Sequence, residues 1–129
     1  MASRGDSFLL PKPRHETEHL WLLITNPDPA THEAIMVNVT TQRPHSDTTT
    51  ILNVGEHPFV RKPSVIFHAD ARLVDTRLLD AAVRSGAYQA HAAFQPAVIL
   101  KIQAGLLVSL FTPKKIKTAY AAFAAAGLA

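Results

Sequence analysis

Cysteine is absent from this chain. Disulfides and thiolate metal sites are therefore excluded, and a reducing cytoplasm is the simplest home. Glycine is scarce: the five residues are scattered singly, so no glycine-rich loop can cradle a phosphate and nucleotide hydrolysis is disfavoured. A serine-hydrolase elbow is missing too. The seven histidines include no His-x-His pair. Only His15 and His19 stand four apart, in a proline-containing stretch that makes a poor helix start, so no local metal-ligand pair is offered. Long apolar runs are also lacking. The most apolar stretch, "PAVILKIQAGLLVSLF", is interrupted by Lys101 and Gln103 and falls short of the roughly 20 residues that span a bilayer. The start, "MASRGDSFLL", has no signal-peptide core. Charge is nearly balanced, with 13 basic and 10 acidic residues and a net +3; that permits a polyanionic partner without demanding one. The expectation is a soluble cytoplasmic protein with no membrane span, no metal and no cofactor.

What remains is a chain that can build a core. Its 129 residues suit one domain, and 47% hydrophobic against 18% charged residues fits a globular protein. "HLWLLIT" (19–25), bounded by "NPDPATH", reads as a buried strand. "AIMVNVTT" (34–41) alternates, with Ile35, Val37 and Val39 on one face and Met36, Asn38 and Thr40 on the other. The second face is unusually polar for a packed strand. "TTTILNV" (48–54) and "SVIFHADARLV" (64–74) read as further strands, the last with Val65, Phe67, Ala69 and Ala71 facing one way and Ile66, His68 and Asp70 the other. "PKPRHETE" and "GEHPFVRKP" read as loops. From Asp75 the character changes. Leu78, Leu79, Ala82 and Val83 recur at helical spacing before a stop near Gly86. Residues 96–111 begin at a proline and are apolar nearly all round. "TPKKIKTAYAAFAAAGLA" opens with a threonine cap and a proline at the first helical position. A block of strands followed by a block of helices predicts an α+β single domain over 1–129: a small, strongly curved sheet or barrel over 4–75 and helices over 76–129.

The order "RGD" (4–6), "HLWLLITNP", "AIMVNVTTQ" and "SVIFHADARLVDTRLL" resembles the MazF/PemK (Kid-like) toxins of bacterial toxin–antitoxin pairs, over roughly residues 4–80. The resemblance implies an SH3-like β-barrel of five to six strands with two to three C-terminal helices. It also implies a homodimer that cleaves single-stranded RNA without a metal and is held inactive by an antitoxin protein. By position, Thr40 falls on the family's catalytic threonine, while His19 stands where the family has its catalytic arginine and Leu20 replaces a proline.

Metal-free RNA cleavage needs a base for the 2′-hydroxyl, donors for the phosphorane and an acid for the departing 5′-oxygen. Histidine suits the acid and base roles. His19 and His57, each at the rim of a strand, are the candidate pair, with Thr40 donating to a phosphate oxygen. Arg43, Arg61 and Lys62 would supply positive charge, and Trp21 and Phe59 could stack bases. Each has a plainer reading: lone histidines are usually structural or on the surface, threonines favour strands, and "RKP" and "PKKIK" suit a solvated face. The competing function is a non-catalytic barrel that binds nucleic acid or a protein. In either case the apolar 96–111 helix predicts burial against the barrel or a second copy.

Overall fold

The computed structural model describes residues 1–10 and 19–129; the loop expected at "PKPRHETE" lies outside the described residues. The chain is α+β. Its strands are β1 (Ser7–Leu10), β2 (His19–Leu23), β3 (Glu33–Thr41), β4 (Ile51–Leu52), β5 (Ser64–Ile66), β6 (Arg72–Asp75) and β7 (Gln89–His91). The helices are α1 (Thr76–Ser85), α2 (Pro96–Val108) and α3 (Lys114–Ala125), with one turn of 3-10 helix at His68–Asp70.

Strand β3 is the hub of a seven-stranded antiparallel sheet paired in the order β4-β5-β3-β2-β1-β7. Its middle pairs with β2, Trp21 facing Asn38. On its other side it pairs first with β6, then with β5, Thr40 facing Val65. Strands β4 and β7 end the order without pairing to each other among the described residues, so backbone pairing does not close the sheet into a barrel.

The alternation in β2 and β3 sorts the core into two layers. Leu20, Leu22, Ile24, Ile35, Val37 and Val39 face Ile99, Ile102 and Leu106 of α2 and Ile116 of α3. Trp21, Leu23, Ala34 and Met36 face Leu79 of α1 on the opposite side. Helix α1 begins under an Asp75 cap that accepts the Arg77 N–H and stops at Gly86, whose φ of 83° suits glycine.

Four expected boundaries move, each where a side-chain hydrogen bond competes with the regular pattern. The strand expected over 64–74 breaks after Ile66, because His68 turns wholly inward to meet Thr50 at 2.8 Å and a 3-10 turn takes up the bend. The strand expected over 48–54 shrinks to Ile51–Leu52. Asp47 accepts both the N–H and the hydroxyl of Thr49, and Glu56 accepts the Asn53 N–H, so side chains replace the ladder at both ends. Helix α2 ends at Val108, where the Ser109 hydroxyl donates to Asp47 and accepts the Phe111 N–H in a turn outside the helix. Thr112 does not cap α3: Pro113 holds that position, and the Thr112 hydroxyl donates to Leu106 O instead. Strand β7 is an addition, a short partner for β1. Among the described residues no helix is long and apolar enough to cross a membrane.

Candidate functional site

The polar half of β3 opens a hollow. Ala34 and Met36 are buried beneath α1, but Asn38 and Thr40, further along the same face, line a hollow of about 380 Å³. His19, at the start of β2, and Trp21 form a second wall; Leu10 sits at the edge. Phe67 and Asp70 complete it from the 3-10 turn. That size is within the usual range for small-ligand sites, about 300–1,000 Å³.

The turn at His68–Asp70 makes this possible. With three residues per turn, Phe67 and Asp70 come onto one side, whereas strand alternation would have set them on opposite faces. Phe67 is 45% exposed, a large aromatic left open beside polar groups. Asp70 is tied on both sides: the Asn38 amide nitrogen donates to its Oδ2 at 3.1 Å, and the Arg72 guanidinium pairs with its Oδ1. Arg72 also lies over the Trp21 ring, 4.8 Å from its centre. Asn38 is only 4% exposed, and among the described residues its Oδ1 has no hydrogen-bond partner. A buried acceptor left so costs about 1–3 kcal/mol, which makes it an uncommon feature of a folded chain.

The three proposed catalytic groups divide between two places. His19 and Thr40 share the hollow. His57 does not line it; it sits beyond β4, buried, with both ring nitrogens engaged. Its Nε2–H donates to Ala92 O at 2.7 Å, and the Phe59 N–H donates to its Nδ1 at 3.1 Å. The ring stacks on Phe94, with centroids 4.1 Å apart. Because His57 follows β4 and Ala92 follows β7, this bond joins the two unpaired ends of the sheet. Burial pushes the His57 pKa below the ordinary histidine value, the Ala92 carbonyl opposes that, and the nearby His91 charge reinforces it. The imidazole is held neutral as a structural latch.

The expected RNA contacts divide in the same way. Trp21 lines the hollow but is itself buried, and Phe59 packs against the core, edge-on to His91. Arg43, Arg61 and Lys62 are exposed. The Gln42 N–H donates to Pro63 O, so the backbones carrying Arg43 and Lys62 meet at the end of the sheet beyond Thr40. Among the described residues no three His, Asp or Glu side chains come together to hold a metal ion.

A second polar cluster lies on the opposite face, with His68 and Thr50 buried beneath α2 and Asp47 half-buried at its edge. His68 and Thr50 hydrogen-bond there, and Asp47 takes hydrogen bonds from Ser109 and Thr49. Burial lowers the His68 pKa, and the Asp47 charge partly offsets it. Burial would raise that of Asp47, but its hydroxyl partners hold it below the usual carboxylate value. Gly105 is required where α2 crosses: a Cβ there would collide with the Thr50 hydroxyl and lie 3.1 Å from His68 Nε2.

Strand periodicity set Asn38 on the polar face beside Thr40 but missed Phe67, Asp70 and Arg72 as site residues. Their one signal was "FHADAR", in which an aromatic precedes an Asp-x-Arg pair. No protein-family model matches the chain, and no curated protein matches it.

Proposed function

We propose that the hollow between β2, β3 and the 3-10 turn binds single-stranded RNA and cleaves it without a metal, in the manner of a toxin-like endoribonuclease. The observation that carries this reading is the convergence of His19, Thr40, Asn38, Phe67 and Asp70 on one open cavity, with the backbones carrying Arg43 and Lys62 meeting at its end of the sheet, whereas Arg61 lies beside His57. Phe67 offers an exposed face on which a base stacks. Thr40 donates to a non-bridging phosphate oxygen. His19 removes the 2′-hydroxyl proton as the 2′-oxygen attacks the adjacent phosphorus, and returns it to the 5′-oxygen as the P–O5′ bond breaks. The products are a 2′,3′-cyclic phosphate and a 5′-hydroxyl. The SH3-like barrel belongs to the same proposal; the His57–Ala92 bond, which links the two ends of the sheet, supports it. So do the homodimer, the neutralising antitoxin and the cytoplasmic setting. For the first two the support is a row of exposed apolar side chains at the end of α2, among them Leu107, Val108, Leu110 and Phe111.

One observation favours a second reading. With His57 committed to Ala92, the hollow holds one imidazole rather than two, which suits a module that binds RNA and does not cut it. A labelled single-stranded RNA separates the readings. Cleavage by the wild type and its loss in His19→Ala, with binding retained, supports the nuclease. Binding without cleavage by either protein supports the module, and no binding removes both.

A further inference from the structure

Three linked side chains carry a pattern of donors and acceptors: Asn38 and Asp70 line the hollow, and Arg72 adjoins it through Asp70 and the Trp21 ring. Arg72 offers guanidinium N–H groups, Asp70 a carboxylate, and Asn38 an amide oxygen with no partner among the described residues. They are joined in that order, because Arg72 holds Asp70 Oδ1 and the Asn38 amide nitrogen holds Asp70 Oδ2. The order is donor, acceptor, acceptor. Both Asp70 bonds use its oxygens without exhausting their lone pairs, and the Asp70 side chain keeps 32% of its surface open.

Resting on the RNA reading above, we propose that this row reads the Watson–Crick edge of guanine. Guanine alone among the four RNA bases presents acceptor, donor, donor in sequence: O6, N1–H and the exocyclic N2–H₂. Arg72 would donate to O6, Asp70 would accept from N1–H, and the Asn38 oxygen would accept from N2–H₂. Adenine sets a donor against Arg72 and an acceptor against Asp70. Cytosine inverts all three positions. Uracil matches the first two and places an acceptor against Asn38 Oδ1. Phe67, 45% exposed at the rim, supplies the stacking face, which any base would use equally. Selectivity therefore lies in the polar row. The unsatisfied acceptor of Asn38 has a physical reason on this account: covered in the free chain, it meets the ligand's donor as the side chains around it part on binding, and a pocket built around a hydrogen bond rejects a ligand that cannot make it.

Inosine isolates one contact, because hypoxanthine is guanine without N2–H₂. The full chain is titrated with the 3′-monophosphates of guanosine, inosine, uridine, adenosine and cytidine, and in parallel with a mixed-sequence single-stranded RNA. Binding is followed by calorimetry and by the fluorescence of Trp21, the sole tryptophan and a wall of the hollow. The guanosine nucleotide should bind roughly tenfold more tightly than the inosine one, as one lost hydrogen bond requires, with adenosine and cytidine weakest. Asn38→Ser should abolish the guanosine–inosine gap, and Asp70→Asn should abolish the preference for guanosine over adenosine. Because the inosine comparison is made on the wild type, it stands even if a variant misfolds. RNA binding with guanosine and inosine held alike overturns the base assignment and leaves the RNA reading intact. Guanosine preference without RNA binding supports the base assignment and overturns the RNA reading. No binding of RNA or of any nucleotide overturns both.

Discussion

The sheet carries one polar cluster on each face, and the two have opposite fates. On the α2 side, Thr50, His68 and Ser109 are buried, with Asp47 half-buried beside them, and their side chains pair as Thr50 with His68 and Ser109 with Asp47. On the α1 side, helix packing ends at Met36, and Asn38, Thr40 and Asp70 face a hollow. Among the described residues each cluster leaves one buried atom without a hydrogen-bond partner, His68 Nδ1 in the first and Asn38 Oδ1 in the second. In the sealed cluster nothing else can reach that atom, so its consequence is for stability. In the open one the side chain borders a cavity, and the proposed consequence is for binding. Polar residues on a strand thus become structure or site according to whether a helix covers them.

The largest effect should come from breaking the seal. Gly105→Ala forces a methyl into the Thr50 hydroxyl, and although alanine favours a helix by about 1 kcal/mol over glycine, overpacking of this kind should cost a net of about 3 kcal/mol. Chemical denaturation measures it, and Thr50→Ala in the same chain should recover part of the loss.

Acid should weaken the sealed and latched regions before it affects the hollow. Burial lowers the pKa of both His57 and His68 below their unfolded value near 6.5. The unfolded chain therefore binds more protons between the two values, so stability is full above the unfolded pKa and falls as pH drops through 6.5 toward the folded pKa. Denaturation midpoints at pH 7.5 and 5.5 report this, and His57→Gln, which can still donate to Ala92 O, should flatten part of the slope.

Asn38→Ala sharpens the comparison. It removes the bond to Asp70 together with an unsatisfied buried acceptor, so the net stability change should stay within about 1 kcal/mol, while RNA affinity falls by about tenfold. The smallest effect on stability should be that of Arg72→Lys. Its pair with Asp70 is well exposed, so the loss should be under about 1 kcal/mol, yet Trp21 emission should shift as the guanidinium leaves the ring.

How much of this could be read from the chain depended on whether the deciding interaction was local. The alternation of β3 placed Ile35, Val37 and Val39 on one face and exposed the odd polarity of Asn38 and Thr40 on the other, because period two is a property of neighbouring residues. Asp75 and Gly86 bounded α1 for the same reason. "SVIFHADARLV" misled because alternation continues through His68; the partner that turns the chain, Thr50, lies in another segment. The sequence held no sign that His57 is engaged, since its acceptor at Ala92 comes from beyond β7, a strand with no apolar pattern of its own. Thr112-Pro113 has the composition of a helix cap, but the hydroxyl found a carbonyl of α2 first. Apart from the short-range side-chain bonds that trim β4, pairings between different segments decided what the local pattern missed.

The most direct test is a backbone amide map of the full chain, recorded with and without a short single-stranded RNA at neutral pH. Chemical-shift changes should concentrate on His19, Thr40, Asn38 and the stretch from Phe67 to Arg72, and should leave His57, Thr50 and Gly105 nearly unmoved. Changes centred on His57 or on the end of α2, or no changes anywhere, would contradict the account.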